Sequence, residues 1–92
     1  MTASKVYLAL QDNDTSRYIV EAVEQDNPDV VVIYQPAMIR MECEGQLVVK
    51  KATVEEKLGQ SWDVQELHLN LVTIGGNVDE DDEQLTLSWN RS

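Results

Sequence analysis

Phenylalanine is absent from this chain of 92 residues, cysteine and histidine occur once each, and proline only twice. A single cysteine excludes an intrachain disulfide and agrees with a reducing compartment. One cysteine with one histidine is too small a set of soft ligands for an ordinary zinc site. Without phenylalanine the core has to be aliphatic, because the aromatics are only Tyr7, Tyr18, Tyr34, Trp62 and Trp89. Positive charge is also scarce: 7 Lys and Arg stand against 17 Asp and Glu, a formal net charge of −10. That field repels phosphate backbones and anionic membranes, so nucleic acid and membrane surfaces are excluded as partners. No apolar run has the length of a membrane span, and Met1 to Lys5 leads into a strand pattern without an apolar leader core, so a cytoplasmic location is expected.

What is present suits a single domain over residues 1–92, with hydrophobic residues at 42% of the chain, an ordinary share for a globular protein. Val6, Leu8 and Leu10 alternate with Tyr7 and Ala9 as in a strand. Asn13 or Asp14 can cap a following helix whose apolar face is Tyr18, Ile19, Ala22 and Val23, and Asn27-Pro28 ends it. Val30 to Tyr34 reads as a strand apolar on both faces. After the break at Gln35-Pro36-Ala37, Met38 to Glu44 alternates, with Ile39, Met41 and Cys43 facing one way and Met38 left among the charges of the other. Glu44-Gly45 predicts a hairpin turn into an antiparallel partner, Leu47 to Lys50. Thr53 to Glu56 has the pattern of a capping box, with Gly59 as terminator, and Asp63 to Glu66 has the pattern of a second.

From His68 to Ile74 the pattern is a strand with Leu69, Leu71 and Thr73 on one face and His68, Asn70, Val72 and Ile74 on the other. Gly75-Gly76 breaks it, and Asn77 tolerates the same unusual backbone angles. Residues 79–83, Asp79-Glu80-Asp81-Asp82-Glu83, predict a solvated hairpin loop, since unpaired charge at this density cannot be buried. Leu85, Leu87 and Trp89 return as the second strand. The order is roughly β-α-β-β-β-α-α-β-β, which argues an α+β fold with a mostly antiparallel sheet and two to three short helices.

Catalytic chemistry finds little support. His68 has no evident partner, and Cys43 shares its strand face with Ile39 and Met41, which predicts a buried, inert thiol rather than half of a nucleophile pair. The acidic run lacks the loop spacing, central glycine and bidentate glutamate of a calcium site. Glu55, Glu56 and Glu66 are explained by their first-turn positions in helices, and Trp62 by packing over a corner. The expectation is therefore no catalytic residue, no metal, no cofactor and no tightly bound small molecule.

Three segments carry a resemblance: EEKLG at Glu55 to Gly59, DVQEL at Asp63 to Leu67, and TIGGN at Thr73 to Asn77. With NPDVVVIYQPAMIRMECEGQLVV upstream, they make the chain similar, from about Val6 to Trp89, to the effector or coupling proteins of soluble di-iron monooxygenases. Within that family it resembles the regulatory proteins of multicomponent bacterial phenol hydroxylases. The resemblance implies a cofactor-free, non-catalytic partner of a di-iron hydroxylase that adjusts access of substrate, oxygen and electrons to the iron centre. It also implies that the TIGGN segment meets the hydroxylase. Methane-type effectors carry small hydroxyl residues where this chain has Leu71 and Val72, a departure that favours an aromatic substrate.

The residues add their own reasons. Val72 and Ile74 leave a strand face apolar, Met38 is stranded among charges, and the glycines permit close backbone approach. The expected docking set is therefore Met38, Leu71, Val72, Thr73, Ile74, Gly75, Gly76 and Asn77, the alternative being that these residues are core and that Gly75-Gly76 merely turns the hairpin. The competing reading is a stand-alone module for a small ligand or peptide, bound on the exposed β face and the Val30 to Tyr34 edge.

Overall fold

The computed structural model describes residues 5–89. Alternation in β1 (Lys5–Gln11) turns Val6, Leu8 and Leu10 to one side, all fully buried. β1 lies between β3 (Met38–Glu44) and β5 (Leu71–Gly75), and β3 pairs outward with β2 (Val31–Gln35). All neighbours are antiparallel, and the sheet order is β2-β3-β1-β5. A second antiparallel sheet, order β4-β7-β6, is formed by β4 (Gln46–Lys50), β6 (Asn77–Glu80) and β7 (Gln84–Ser88).

One aliphatic core joins the layers. Ile39 and Met41 from the first sheet meet Leu47, Val49, Leu85 and Leu87 from the second, with Ile19, Val20 and Val23 of α1 (Asp14–Asp26) packed among them. Each such side chain taken from water contributes about 1.5–3 kcal/mol before entropy is counted. Helix α1 begins at Asn13, whose side chain accepts from the Ser16 N–H at 2.9 Å, and ends at Asn27, whose N–H reaches the Val23 carbonyl at 2.8 Å. The buried stripe runs through Ile19, Val20, Ala22 and Val23, which leaves Tyr18, expected inside, 40% exposed.

Four further expectations need correction. The chain does not turn back at Glu44-Gly45. With Gly45 at φ 83 it leaves the first sheet, and β4 finds its partner in β7 rather than in β3. Helix α2 (Lys51–Leu58) starts ahead of Thr53 and has no side-chain cap. Strand β4 runs straight into it, and the Lys51 N–H is satisfied at 2.9 Å by the carbonyl of Glu83 across the sheet, so Thr53 is buried inside the helix instead. Gly59 ends α2 as expected, with φ 76 and its N–H on the Glu55 carbonyl at 2.8 Å.

The second capping box does form, between Asp63 and Glu66, and starts a 3-10 helix over Val64–Leu69. That helix consumes His68 and Leu69, so the following strand begins only at Leu71. The acidic run is likewise split: Asp79 and Glu80 belong to β6, and only Asp81 to Glu83 turn. The described residues thus hold one strand more than the pattern suggested, within an α+β, antiparallel architecture as expected.

Candidate functional site

Strand β5 decides which of the expected docking residues reach the surface. Its pairing with β1 sets Ile74 opposite Leu8, Thr73 opposite Ala9, and then Leu71 opposite Leu10, a register shift that leaves Val72 as an extra residue. A bulge of this kind interrupts the two-residue alternation. Leu71 and Ile74 both turn toward Leu10 and Leu8 and pack on the core, which corrects the grouping of Ile74 with Val72 on one exposed face. Val72 is left 49% exposed.

The outer face of the first sheet holds the remaining members. Thr73 and Gly75 stand opposite Ala9 and Tyr7, and Met38 is opposite Gln11 at the same face of β3. The ring of Tyr7 lies across Gly75 where a β-carbon would sit, so glycine is required there by close packing. The Arg40 guanidinium stacks over that ring at 4.1 Å from its centroid, a cation–π contact, and its Nε donates to the Glu42 carboxylate at 2.6 Å. Gly76 plays another part. With φ 133 it carries the chain from the first sheet to the second, and a β-carbon would come within 3.0 Å of Val6 Cγ1. Asn77 opens β6 opposite Ser88 and is exposed.

Met38, Val72, Thr73 and Asn77 are therefore at least partly accessible, Leu71 and Ile74 are turned to the core, and the two glycines are structural. Neighbours that the sequence did not single out are Tyr7 and Arg40. Tyr7 was legible only as the outward member of an alternating strand, and Arg40 as a charge beside Met38.

The titratable groups are dispersed. Cys43 is buried on the core side of β3, opposite Val6, and burial, reinforced by the nearby Asp29 and Glu44 charges, pushes its thiol pKa up. His68 lies exposed on the 3-10 helix, and its Nε2 meets Glu80 Oε1 on β6 at 2.8 Å. Glu55 accepts from the Trp62 N–H at 2.9 Å, fixing the turn that buries the indole. No group of three His, Cys, Asp or Glu side chains that could hold a metal occurs among the described residues. A cleft of about 320 Å³ at the end of the first sheet is lined by Lys5, Asp29, Val31, Glu42, Cys43 and Glu44, so three carboxylates face one ammonium there. No described helix is long and apolar enough to cross a membrane.

Comparison with known proteins places this geometry. The model of the MmoB/DmpM family matches residues 4–88. The chain belongs to the MmoB/DmpM family. It is 58% identical over 87 residues to the stimulatory component DmpM of phenol 2-monooxygenase from Pseudomonas sp. (strain CF600), covering 95% of this chain and 97% of that protein. A chain in the solved phenol hydroxylase–regulatory protein complex superposes with a TM-score of 0.90 at 54% identity, covering 95% of this chain and all, 100%, of that one. The soluble methane monooxygenase regulatory protein B shares the fold, with a TM-score of 0.75 at 18% identity over 98% of this chain and 69% of that one.

Proposed function

We propose that this member of the MmoB/DmpM family is the non-catalytic regulatory component of a phenol monooxygenase. It binds the hydroxylase component and modulates access of substrate, oxygen and electrons to the hydroxylase active site. The observation that carries this reading is the near full-length identity to a phenol 2-monooxygenase stimulatory component, joined to a fold matched by a chain of a phenol hydroxylase–regulatory protein complex. The dispersed titratable groups agree with a protein whose work is done by contact. Such an effector has to bind one hydroxylase conformation more tightly than another, because equal affinity for both shifts neither. Its place of action is the cytoplasm.

The docking surface of this reading is centred on the outer end of β5. Thr73 and Val72 supply a partly apolar ridge, Met38 lies on the same sheet face, and Asn77 follows the corner. Leu71, Ile74, Gly75 and Gly76 support that ridge from beneath by core packing, by the seat for Tyr7 and by the inter-sheet crossing. Steady-state phenol hydroxylation by a phenol hydroxylase with its reductase, with and without this protein, is the deciding experiment. Stimulation that saturates with added protein supports the reading, and unchanged turnover refutes it.

A further inference from the structure

Leu69 is 76% exposed, the highest value among the exposed large hydrophobic side chains of the described residues, although the sequence pattern places it within a strand. A leucine so placed adds almost nothing to folding, since most of its surface stays in water. Isolated exposed leucines are common on protein surfaces, and exposure alone carries no weight. The difference here is the rigidity of its support. The capping box of Asp63 and Glu66 fixes the start of the 3-10 helix, and Leu69 is its last residue. The next residue, Asn70, is held three ways. Its N–H reaches the Leu67 carbonyl at 3.1 Å, its carbonyl accepts from the Gln11 N–H at 2.8 Å, and its side-chain oxygen accepts from Asn13 Nδ2 at 2.8 Å. On the other side His68 is tied to Glu80. An apolar side chain held out on a braced backbone is buried by a partner without the cost of ordering that backbone.

Charge defines what that partner presents. The His68–Glu80 contact brings the 3-10 helix against β6, whose next residues are the exposed Asp81, Asp82 and Glu83. Asp63 caps the helix and Glu66 lies in its first turn, both exposed. An apolar tip flanked by carboxylates fits an apolar depression bordered by Lys or Arg. Resting on the reading that the partner is a phenol hydroxylase, we propose that Leu69 is an anchor of that interface. It enters an apolar depression of the hydroxylase rimmed by basic side chains, with Val72 extending the contact onto β5.

The test uses the intact protein and a phenol hydroxylase, with affinity measured by calorimetry and stimulation by turnover at saturating effector. Leu69→Ala and Leu69→Asp should keep the wild-type melting temperature, because the side chain is exposed. Both should weaken binding, Leu69→Ala by roughly thirtyfold, as expected of an interface anchor, and Leu69→Asp by more. Leu69→Met should bind nearly as wild type. The wild-type affinity should fall as salt is raised from low ionic strength, as a basic rim requires. Wild-type affinity retained by both Leu69→Ala and Leu69→Asp overturns the anchor while leaving the regulatory reading intact. Wild-type protein that fails to bind the hydroxylase at all overturns both. Sedimentation of the free proteins separates the remaining occupant: if Leu69→Asp abolishes a self-association of the wild type without weakening hydroxylase binding, a second copy of this chain covers the leucine and the proposal fails.

Discussion

The side-chain amide of Asn27 bonds both backbone groups of Val48, accepting from its N–H at 2.9 Å and donating to its carbonyl at 2.8 Å. Val48 lies on β4, an edge strand of the second sheet, so the amide does what a neighbouring strand would do and closes that edge at one residue. The same Nδ2 reaches the Val23 carbonyl at the end of α1 at 2.8 Å, joining helix to sheet. Asn27→Leu should therefore lower stability by roughly 2–4 kcal/mol, because it strands buried polar groups on two elements. Urea denaturation measures this, and an unchanged midpoint would show that water replaces the amide without loss.

Gly75 and Tyr7 predict a coupled pair. Gly75→Ala has to displace the Tyr7 ring, and with it the stacked Arg40. The expected cost is about 1–2 kcal/mol, since a packed contact and a cation–π contact are both disturbed. In a Tyr7→Ala background the same glycine change should cost much less. A double-mutant cycle reads the difference, and simple additivity would disprove the coupling.

Thr73 and Gly76 should separate docking from folding. Thr73 is on the outer sheet face, so Thr73→Tyr is expected to melt like the wild type yet lose most of its stimulation of a phenol hydroxylase by overfilling the contact. Gly76 is unsuited to that purpose. Its φ of 133 and the proximity of Val6 mean that Gly76→Ala should destabilise the fold by about 1–3 kcal/mol before any partner is added. Full stimulation by folded Thr73→Tyr would move the interface away from β5.

The acidic turn contains two kinds of carboxylate. Asp81 Oδ1 accepts from the N–H groups of Glu83 and Gln84 at 2.8 and 2.9 Å, so Asp81→Ala should weaken the β6–β7 hairpin by about 1 kcal/mol. Asp82 and Glu83 are exposed, and opposite a basic rim they would act through charge rather than packing. Asp82→Asn with Glu83→Gln is expected to slow association with the hydroxylase at low ionic strength and to leave saturating stimulation unchanged. Stopped-flow rates over a salt series test it. A loss at saturation would mean direct contact.

Cys43 should be a slow thiol. Its raised pKa favours the protonated form in the folded protein, chiefly through burial. The sign follows from linkage: the contribution to stability is fully present below the ordinary thiol value and is lost as pH rises through the folded value. Modification by an aromatic disulfide at mildly alkaline pH should be far slower in the folded than in the urea-unfolded chain, and stability should decline in the alkaline range. Equal rates in both states would contradict the burial argument.

The sequence was most legible where the structure is locally determined. The alternation of Val6, Leu8 and Leu10, the stretch Met38 to Glu44, the Asp63–Glu66 box and the Gly59 terminator each depend on neighbours within a few residues, and each stands where the pattern put it. Misreadings cluster where a distant segment decides. Glu44-Gly45 has the composition of a tight turn, but the pairing of β4 with β7 converts it into a corner between sheets. The Thr53 box yields because Glu83 satisfies Lys51 from across the fold. Similarly, alternation through Leu71 to Ile74 fails because β1 imposes a bulge. For the candidate docking set, strand alternation, the glycine pair and the resemblance point Leu71, Ile74, Gly75 and Gly76 to the surface, whereas in the fold they also serve core packing, the seat for Tyr7 and the crossing between sheets. Leu69, which the pattern puts within a strand, lies outside that set and ends the 3-10 helix instead.

The order of strands in the second sheet has a consequence for biosynthesis. Its central strand, β7, comes from residues 84–88, downstream of both strands it joins. While the chain emerges from the ribosome, β4 and β6 have no strand to pair with in this sheet until β7 is free. In the interval Asn27 can bond only the outer edge of β4, and the edge that β7 will pair stays open. Closure of the fold is then a late, long-range event, and ribosome-stalled chains ending before residue 84 should remain sensitive to protease throughout the second sheet.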